Sequence, residues 1–142
     1  MEVRRAVDGF VLRYSLAAGQ QPPDGKTRPD FGKEAAQLAV NYIEKYYTEP
    51  GCGRLKEFSR MFNVSEKMMR QEFFALTGRS LTNYVRNRRM EKAATLIEEG
   101  MASVNEVAEA VGYTAASNFT RDFGLHYHIT PGSMVSRKRQ AK

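Results

Sequence analysis

The chain has 142 residues, a hydrophobic fraction of 42% and a formal net charge of +6. No apolar run approaches a membrane span, nothing at the N-terminus resembles a signal peptide, and the single cysteine, Cys52, excludes an internal disulfide and a cysteine-rich zinc site. The charge and the pI near 9.6 favour a polyanionic partner, most simply nucleic acid. We therefore expect one or two small domains in a reducing cytoplasm, with Cys52 as an inert loop thiol.

Residues 1–30 are predicted to be an N-terminal extension or linker that is mobile and not part of a core. Residues 9–16 alternate weakly between apolar and polar, but a lone strand would have no sheet to join. Residues 20–29, QQPPDGKTRP, are rich in Pro, Gly and polar side chains, a composition typical of a linker.

From residue 31 onward, apolar residues recur at the spacing of amphipathic helices. Ser65, Ser80 and Ser103 are expected to cap the starts of helices. Gly78 and Gly100 are expected to end the helices that precede them. Helices are predicted over residues 31–47, 55–62, 66–76, 81–99, 104–111 and 115–125. The predicted fold class is all-α, with seven helices at most and no convincing sheet.

The helical region contains a weak internal repeat. A small residue, Ser59 or Ala108, is followed four residues later by Asn63 or Gly112. The small residue lets two helices approach closely, and the later residue tolerates the left-handed backbone of a sharp turn. The repeat predicts two helix-turn-helix units, at about residues 54–78 and 103–126, joined by a linker helix at about 81–99.

The second helix of the first unit carries Lys67, Arg70 and Gln71 opposite its apolar stripe. A basic, amide-bearing face on the second helix of such a pair is what reading a DNA major groove requires. The predicted linker helix would span roughly 28 Å at about 1.5 Å per residue. Successive major-groove segments on one face of B-DNA are about 34 Å apart. Two reading helices could therefore reach adjacent segments from one monomer, and the shortfall predicts DNA that bends toward the protein.

These residues resemble the DNA-binding domain of the AraC/XylS family of transcriptional regulators, over about residues 36–135. The first half offers Leu55-x-x-Phe58-Ser59, Val64-Ser65-x-x-x-Met69-x-x-x-Phe73, Gly78-x-Ser80-x-x-x-Tyr84 and Arg89-Met90-x-x-Ala93-x-x-Leu96-Ile97. The second half, which is closer to the family pattern, offers Val104-x-x-Val107-Ala108-x-x-Val111-Gly112-Tyr113, Ser117-x-Phe119-x-Arg121-x-Phe123 and Thr130-Pro131. One helix-turn-helix is a weak motif, whereas two at this spacing are a specific one.

The resemblance implies a DNA-binding domain at residues 31–136, followed by a basic tail at 137–142. It implies a bacterial regulator that binds promoter DNA sequence-specifically, with activation favoured over repression. The residues placed at base-reading positions are Lys67, Arg70, Gln71, Ala116, Ser117, Asn118 and Arg121. Arg and Lys suit guanine, Gln suits adenine, and Ala can meet a thymine methyl group. The candidates for phosphate contacts are Ser65, Arg79, Ser80, Arg86, Arg88 and Thr114.

The expected partner is double-stranded DNA, with RNA polymerase as a candidate second partner, in the cytoplasm with the nucleoid. No cofactor, metal, membrane or small-molecule ligand is expected. Many family members carry a ligand-sensing or dimerising domain before the DNA-binding part, and residues 1–30 are not expected to form one. We therefore expect either a stand-alone member controlled by its abundance or one with a shortened N-terminal remnant.

Three departures from the family pattern lie in the second unit. His128 replaces a usual Gly, Gly124 a common Lys, and Val135 a frequent Arg. We therefore expect this unit to be less rigid at its C-terminal end and to make fewer phosphate contacts.

Each assignment has an alternative interpretation. Arg121 could pair with Asp122, Lys67 could simply be solvated, and Arg89 is interpreted as structural. The side chains of Met68, Met69, Phe73 and Phe74 are predicted to be core. His126 and His128 alone do not make a metal site. No catalytic triad, metal constellation or phosphate loop indicates an enzyme, so the main alternative is a protein-interaction module on the same scaffold.

Overall fold

The computed structural model describes residues 31–140, and all regular secondary structure in that range is α-helical. The helices are α1 (Phe31–Tyr46), α2 (Leu55–Met61), α3 (Glu66–Thr77), α4 (Leu81–Glu98), α5 (Val104–Ala110), α6 (Ala116–Tyr127) and α7 (Pro131–Gln140). The all-α prediction is confirmed. The predicted extension and its weak strand lie outside the described residues. Between residues 31 and 140, no helix is long and apolar enough to cross a membrane.

The helix ends follow the predicted capping chemistry in α3 and α5. The hydroxyl of Ser65 accepts a hydrogen bond from the amide of Met68 at 3.0 Å, which satisfies one free donor at the start of α3. The hydroxyl of Ser103 accepts from the amide of Glu106 at 3.3 Å and caps α5. Gly78, with φ of 75°, ends α3 in the left-handed conformation. These three predictions are confirmed.

The C-terminal part of the chain is more helical than predicted. Helix α6 continues to Tyr127, two residues beyond the predicted end, because His128 takes the left-handed conformation and its amide donates to the carbonyl of Gly124. Helix α7 was not among the helices assigned from sequence. Pro131 begins it, where a missing amide hydrogen is harmless, and the hydroxyl of Thr130 accepts from the amide of Ser133. Residues 137–140 of the predicted tail therefore belong to a helix.

The first compact unit comprises, within the described residues, 31–46 and 53–82. Helix α1 lies so close to α3 that a Cβ built on Gly32 would stand 2.8 Å from the side chain of Glu72. The rings of Tyr42 and Phe58 meet edge to face, with centroids 5.5 Å apart. Met69 and Phe73 of α3 are fully buried in this unit. One side of α3 is therefore fixed by packing.

The second compact unit comprises residues 47–52 and the described residues from 83 onward. Its core contains Met90, Ala93, Ile97, Val107, Ala108, Val111, Phe119, Phe123 and Val135. The hydroxyl of Tyr127 also donates to the carbonyl of Met90, at 3.1 Å. Only Leu81 and Thr82 of α4 belong to the first unit, so most of the predicted linker helix is a structural element of the second.

The two turns that identified the repeat have the same hydrogen bonds. In the first turn, the amide of Val64 donates to the carbonyl of Ser59 at 3.0 Å. In the second turn, the amide of Tyr113 donates to the carbonyl of Ala108 at 2.9 Å. Asn63 (φ 54°) and Gly112 (φ 99°) hold the left-handed position just before. This is a Schellman ending in both units. The predicted left-handed turn residues are confirmed.

Candidate nucleic-acid interface

Helix α3 presents a charged face to solvent. The side chains of Lys67, Arg70 and Gln71 are exposed, while Met69 and Phe73 on the opposite side are fully buried. Within residues 31–140, neither Lys67 nor Arg70 forms an ion pair. The structure thus brings the three side chains predicted to read bases in the first unit together on one face of α3. We call this surface the α3 face.

Helix α6 presents a corresponding but less charged surface. Ser117, Asn118 and Arg121 are exposed, and the side chain of Arg121 is 67% accessible. Ala116 does not join them, because it packs against the hydrophobic core of the second unit. The α6 face, as we call it, therefore consists of Ser117, Asn118 and Arg121 among the predicted base-reading residues.

A buried carboxylate, Asp122, lies directly behind the α6 face. Its Oδ2 accepts a 2.6 Å hydrogen bond from the hydroxyl of Tyr113 and lies 3.6 Å from Nε of Arg86. Its Oδ1 lies 3.5 Å from Nε of Arg121. Burial, followed by this hydrogen bond, raises the pKa of Tyr113. The charges of both arginines thus offset the buried charge of Asp122.

The sequence predicts Asp122 only as an alternative partner of Arg121, and that ion pair is present. Because Arg121 is largely exposed, the pair contributes at most about 1 kcal/mol and leaves its other guanidinium nitrogens available. The wider role of Asp122 was missed. One signal was available, since Asp122 follows Phe119 by three residues and so falls on the buried side of a helix.

The predicted phosphate-contacting residues fall into two groups. Ser65, Arg79 and Thr114 are exposed, and Ser80 is partly buried. Arg86 and Arg88 instead have partners within the second unit. Arg86 donates to the side-chain oxygen of Asn83 at 3.1 Å in addition to its pairing with Asp122. Arg88 pairs with Glu91 at 2.7 Å. A phosphate would have to compete with these contacts for Arg86 and Arg88.

Arg89 is part of the scaffold, as the sequence analysis interpreted it. Its Nε donates to the carbonyl of Tyr47 at 2.7 Å, and a terminal nitrogen donates to the carbonyl of Glu49 at 2.8 Å. Its guanidinium also lies 5.5 Å from the centre of the Tyr113 ring. Burial lowers the pKa of Arg89. The structural interpretation of Arg89 is confirmed.

One group of core predictions needs correction. Met69 and Phe73 are fully buried, as predicted, but Phe74 is 59% exposed and Met68 is only partly buried. The reason is helical periodicity. Phe74 follows Arg70 by four residues and Gln71 by three, so it falls on the α3 face and points away from the core.

The comparisons with known proteins agree with this architecture. The family profile described as "Helix-turn-helix domain" matches residues 58–137, more than half of the chain. The chain belongs to the AraC/XylS family of transcriptional regulators. It is 31% identical over 119 residues to the HTH-type transcriptional regulator RipA of Corynebacterium diphtheriae, an alignment that covers 83% of this chain and 35% of RipA. This member thus spans about a third of that relative's length.

Solved structures of this family have the same fold. The C-terminal domain of the two-component response regulator yesN from Fusobacterium nucleatum matches with a TM-score of 0.66 and 29% identity, over 72% of this chain and 98% of that one. The DNA-binding domain of the global transcriptional factor AdpA, solved with a target DNA, matches with a TM-score of 0.68 and 18% identity, over 76% of this chain and 96% of that one. The family is one of DNA-binding transcriptional regulators.

Proposed function

We propose that this AraC-type regulator binds specific promoter sequences by inserting α3 and α6 into successive major-groove segments, and that it acts as an activator. The observation that carries the proposal is the repeated geometry of the two units. In each, a Schellman turn precedes a helix whose inner side is packed and whose outer side carries exposed polar or basic residues. The AdpA domain, whose structure was solved with its target DNA, has the same fold.

The proposal divides the exposed side chains into two roles. Lys67, Arg70 and Gln71 read bases from the α3 face, and Ser117, Asn118 and Arg121 from the α6 face, since their donors and acceptors match base edges in the major groove. Ser65, Arg79, Ser80 and Thr114 contact phosphates and set the register without reading sequence. Arg86 and Arg88 join them only by giving up contacts with Asp122 and Glu91.

Activation, rather than repression, is proposed by analogy with the family, and RNA polymerase is then the second partner. The site of action is the nucleoid in the cytoplasm, because that is where a bacterial promoter is. The proposal assigns no catalytic step to the chain. The competing function is a protein-interaction module that has kept the fold and lost DNA reading, and the experiments below separate the two.

The first experiment identifies the DNA sequence that the chain binds and tests which residues determine that specificity. Fragments of the host genome that bind the full chain are selected and sequenced, and the best site is used in gel retardation. Arg70→Ala and Arg121→Ala should each cost about 1–3 kcal/mol and relax the preference at one base position.

Arg79→Ala is the matched control, because it removes the same charge from a position just beyond the C-terminus of α3 and not from the α3 face. It should weaken binding to all DNA similarly and reduce the salt slope by about one. An equal loss on specific and random DNA for Arg70→Ala would remove Arg70 from the base-reading set. Absence of sequence-dependent retardation for the wild-type chain would favour the interaction module.

A second experiment tests the geometry of insertion. Simultaneous insertion of α3 and α6 into successive major-groove segments on one face of the DNA is proposed to bend the DNA toward the protein. A circular-permutation gel should show a bend centred on the selected site. Straight bound DNA would contradict simultaneous insertion.

A further inference from the structure

Among the residues that the structure describes, three large hydrophobic side chains are notably exposed: Phe74 (59%), Leu76 (49%) and Leu125 (70%). Phe74 lies at the C-terminal end of the α3 face, and Leu125, which follows Arg121 by four residues, lies at the C-terminal end of the α6 face. At about 100° per residue, the side chain of Phe74 leaves the helix axis in a direction between the directions of Arg70 and Lys67. Leu76 points almost to the opposite side of α3, so the helix offers an internal comparison.

Packing within the first unit does not account for Phe74. The neighbouring ring of Phe73 is fully buried and supplies the contact with the core, whereas most of the Phe74 ring remains in water. A single exposed aromatic residue on a protein surface needs no explanation by itself. The α3 face is different, because Phe74 shares it with the basic side chains of Lys67 and Arg70, which form no ion pair within the described range.

The charge around Phe74 selects the partner. A surface that combines an apolar ring with the basic side chains of Lys67 and Arg70 suits a polyanion that also presents apolar groups within reach of the helix. In the DNA major groove, that apolar group is the C5-methyl of thymine, which phenylalanine side chains contact. The O6 and N7 acceptors of guanine in the same groove complement the cations.

The second unit has no equivalent of this ring. Gln71 and Arg121 hold equivalent positions in the two units. Phe74 follows Gln71 by three residues, and the residue that follows Arg121 by three is Gly124. A Cβ built on Gly124 would have no heavy atom within 4 Å. The α6 face carries the exposed Leu125 one position later, four residues after Arg121, so the aromatic ring, and not apolar character as such, distinguishes the α3 face.

We propose that Phe74 is a specificity-determining residue that contacts the C5-methyl group of a thymine in the groove segment read by α3. The proposal rests on the proposed function, since it names one base contact within it. Phe74 lies about 6 Å along the helix from Arg70. For a helix lying along the groove, this corresponds to about two base-pair steps of roughly 3.4 Å. The thymine is therefore within about two base pairs of the base read by Arg70.

The test removes the methyl group without changing base pairing. In the selected duplex, each thymine is replaced in turn by deoxyuracil, and binding of the full chain is measured by fluorescence anisotropy. At one position near the Arg70 contact, the wild-type chain should lose affinity about three- to fivefold, the loss expected for one buried methyl group. Phe74→Ala should bind the thymine and uracil duplexes equally, and Phe74→Leu should retain part of the difference.

Leu76→Ala is the control, because it removes an exposed apolar side chain from the same helix but from the other side. It should keep the full preference for thymine. Circular dichroism of every variant should show an unchanged helix content, as expected for substitutions at exposed positions. Unchanged thymine preference in Phe74→Ala and Phe74→Leu would overturn the inference, as would a wild-type chain indifferent to every uracil substitution near the Arg70 contact.

The two proposals fail in distinguishable ways. If the wild-type chain binds the selected duplex no better than random DNA, the proposed function fails and this inference fails with it. If sequence-specific binding and the Arg70→Ala effect are present but Phe74→Ala leaves the thymine preference intact, only the inference about Phe74 is overturned.

Discussion

Replacing Arg89 should destabilise the second unit more than replacing its neighbour Arg88. Arg89 donates two hydrogen bonds, to the carbonyls of Tyr47 and Glu49, at 2.7 and 2.8 Å. These carbonyls belong to the segment 47–52, which lies far from α4 in sequence but in the same compact unit. Arg89→Met keeps most of the apolar stem and removes both donors.

The magnitude follows from the type of bond. A hydrogen bond to a charged group contributes about 1.5–3 kcal/mol, and a partner left without its donor costs more when it is buried. Because Arg89 is only partly buried, we take the lower end of this range, about 1.5 kcal/mol, for each of its two hydrogen bonds. Arg89→Met should therefore lower the free energy of unfolding by about 3 kcal/mol. Arg89→Lys, which cannot present the same planar fork, should cost about half as much.

The assay is urea unfolding of the full chain followed by circular dichroism, with amide hydrogen exchange to locate the loss in the second unit. Arg88→Ala is the control: its exposed pair with Glu91 and the contact of its guanidinium with the Tyr47 ring at 5.2 Å should together contribute about 1–2 kcal/mol, less than the two hydrogen bonds of Arg89. A cost below about 1 kcal/mol for Arg89→Met, or an equal cost for Arg88→Ala, would refute the assignment of Arg89 to the scaffold.

Three further predictions concern the second unit. Gly112→Ala should destabilise the second unit by at least about 2 kcal/mol more than Gly100→Ala does. Both glycines have a positive φ, but only at Gly112 would a Cβ meet a backbone carbonyl oxygen, at 2.6 Å. Equal melting temperatures of the two variants would contradict this prediction. His128→Gly should stabilise by about 1 kcal/mol, since His128 holds a left-handed conformation with φ of 59°, and a lower melting temperature would count against it. Tyr113→Phe should lower stability at neutral pH by about 1–2 kcal/mol, because it leaves the buried Asp122 without its 2.6 Å donor. The raised pKa of Tyr113 favours its protonated form in the folded state. Its contribution to the free energy of unfolding is therefore present below the unfolded pKa near 10 and is lost as the pH rises further. The unfolding curves of wild type and Tyr113→Phe should converge in alkali.

Local features of this chain were predictable because they depend on residues close together in sequence. The serine caps at Ser65 and Ser103 and the left-handed turns at Asn63 and Gly112 each need only one residue type at one position. The apolar periodicity predicted the all-α class, and the resemblance of the motifs in both units to the AraC/XylS pattern predicted the family. Helix α7 was missed because its amphipathic pattern is weak, although Thr130 before Pro131 is a start signal of the same local kind.

The sequence by itself determined the two helix-turn-helix units and the basic outer surface of α3, since periodicity decides which side chains share a helix face. Only the tertiary structure decided which of the predicted DNA-contacting side chains have partners among the described residues. It gave Arg86 a partner in Asp122 and assigned most of α4 to the second unit. It also left Phe74 in solvent beside the buried Phe73. The physical reason is that partners distant in sequence and the limits of a core depend on three-dimensional packing, which no local pattern encodes.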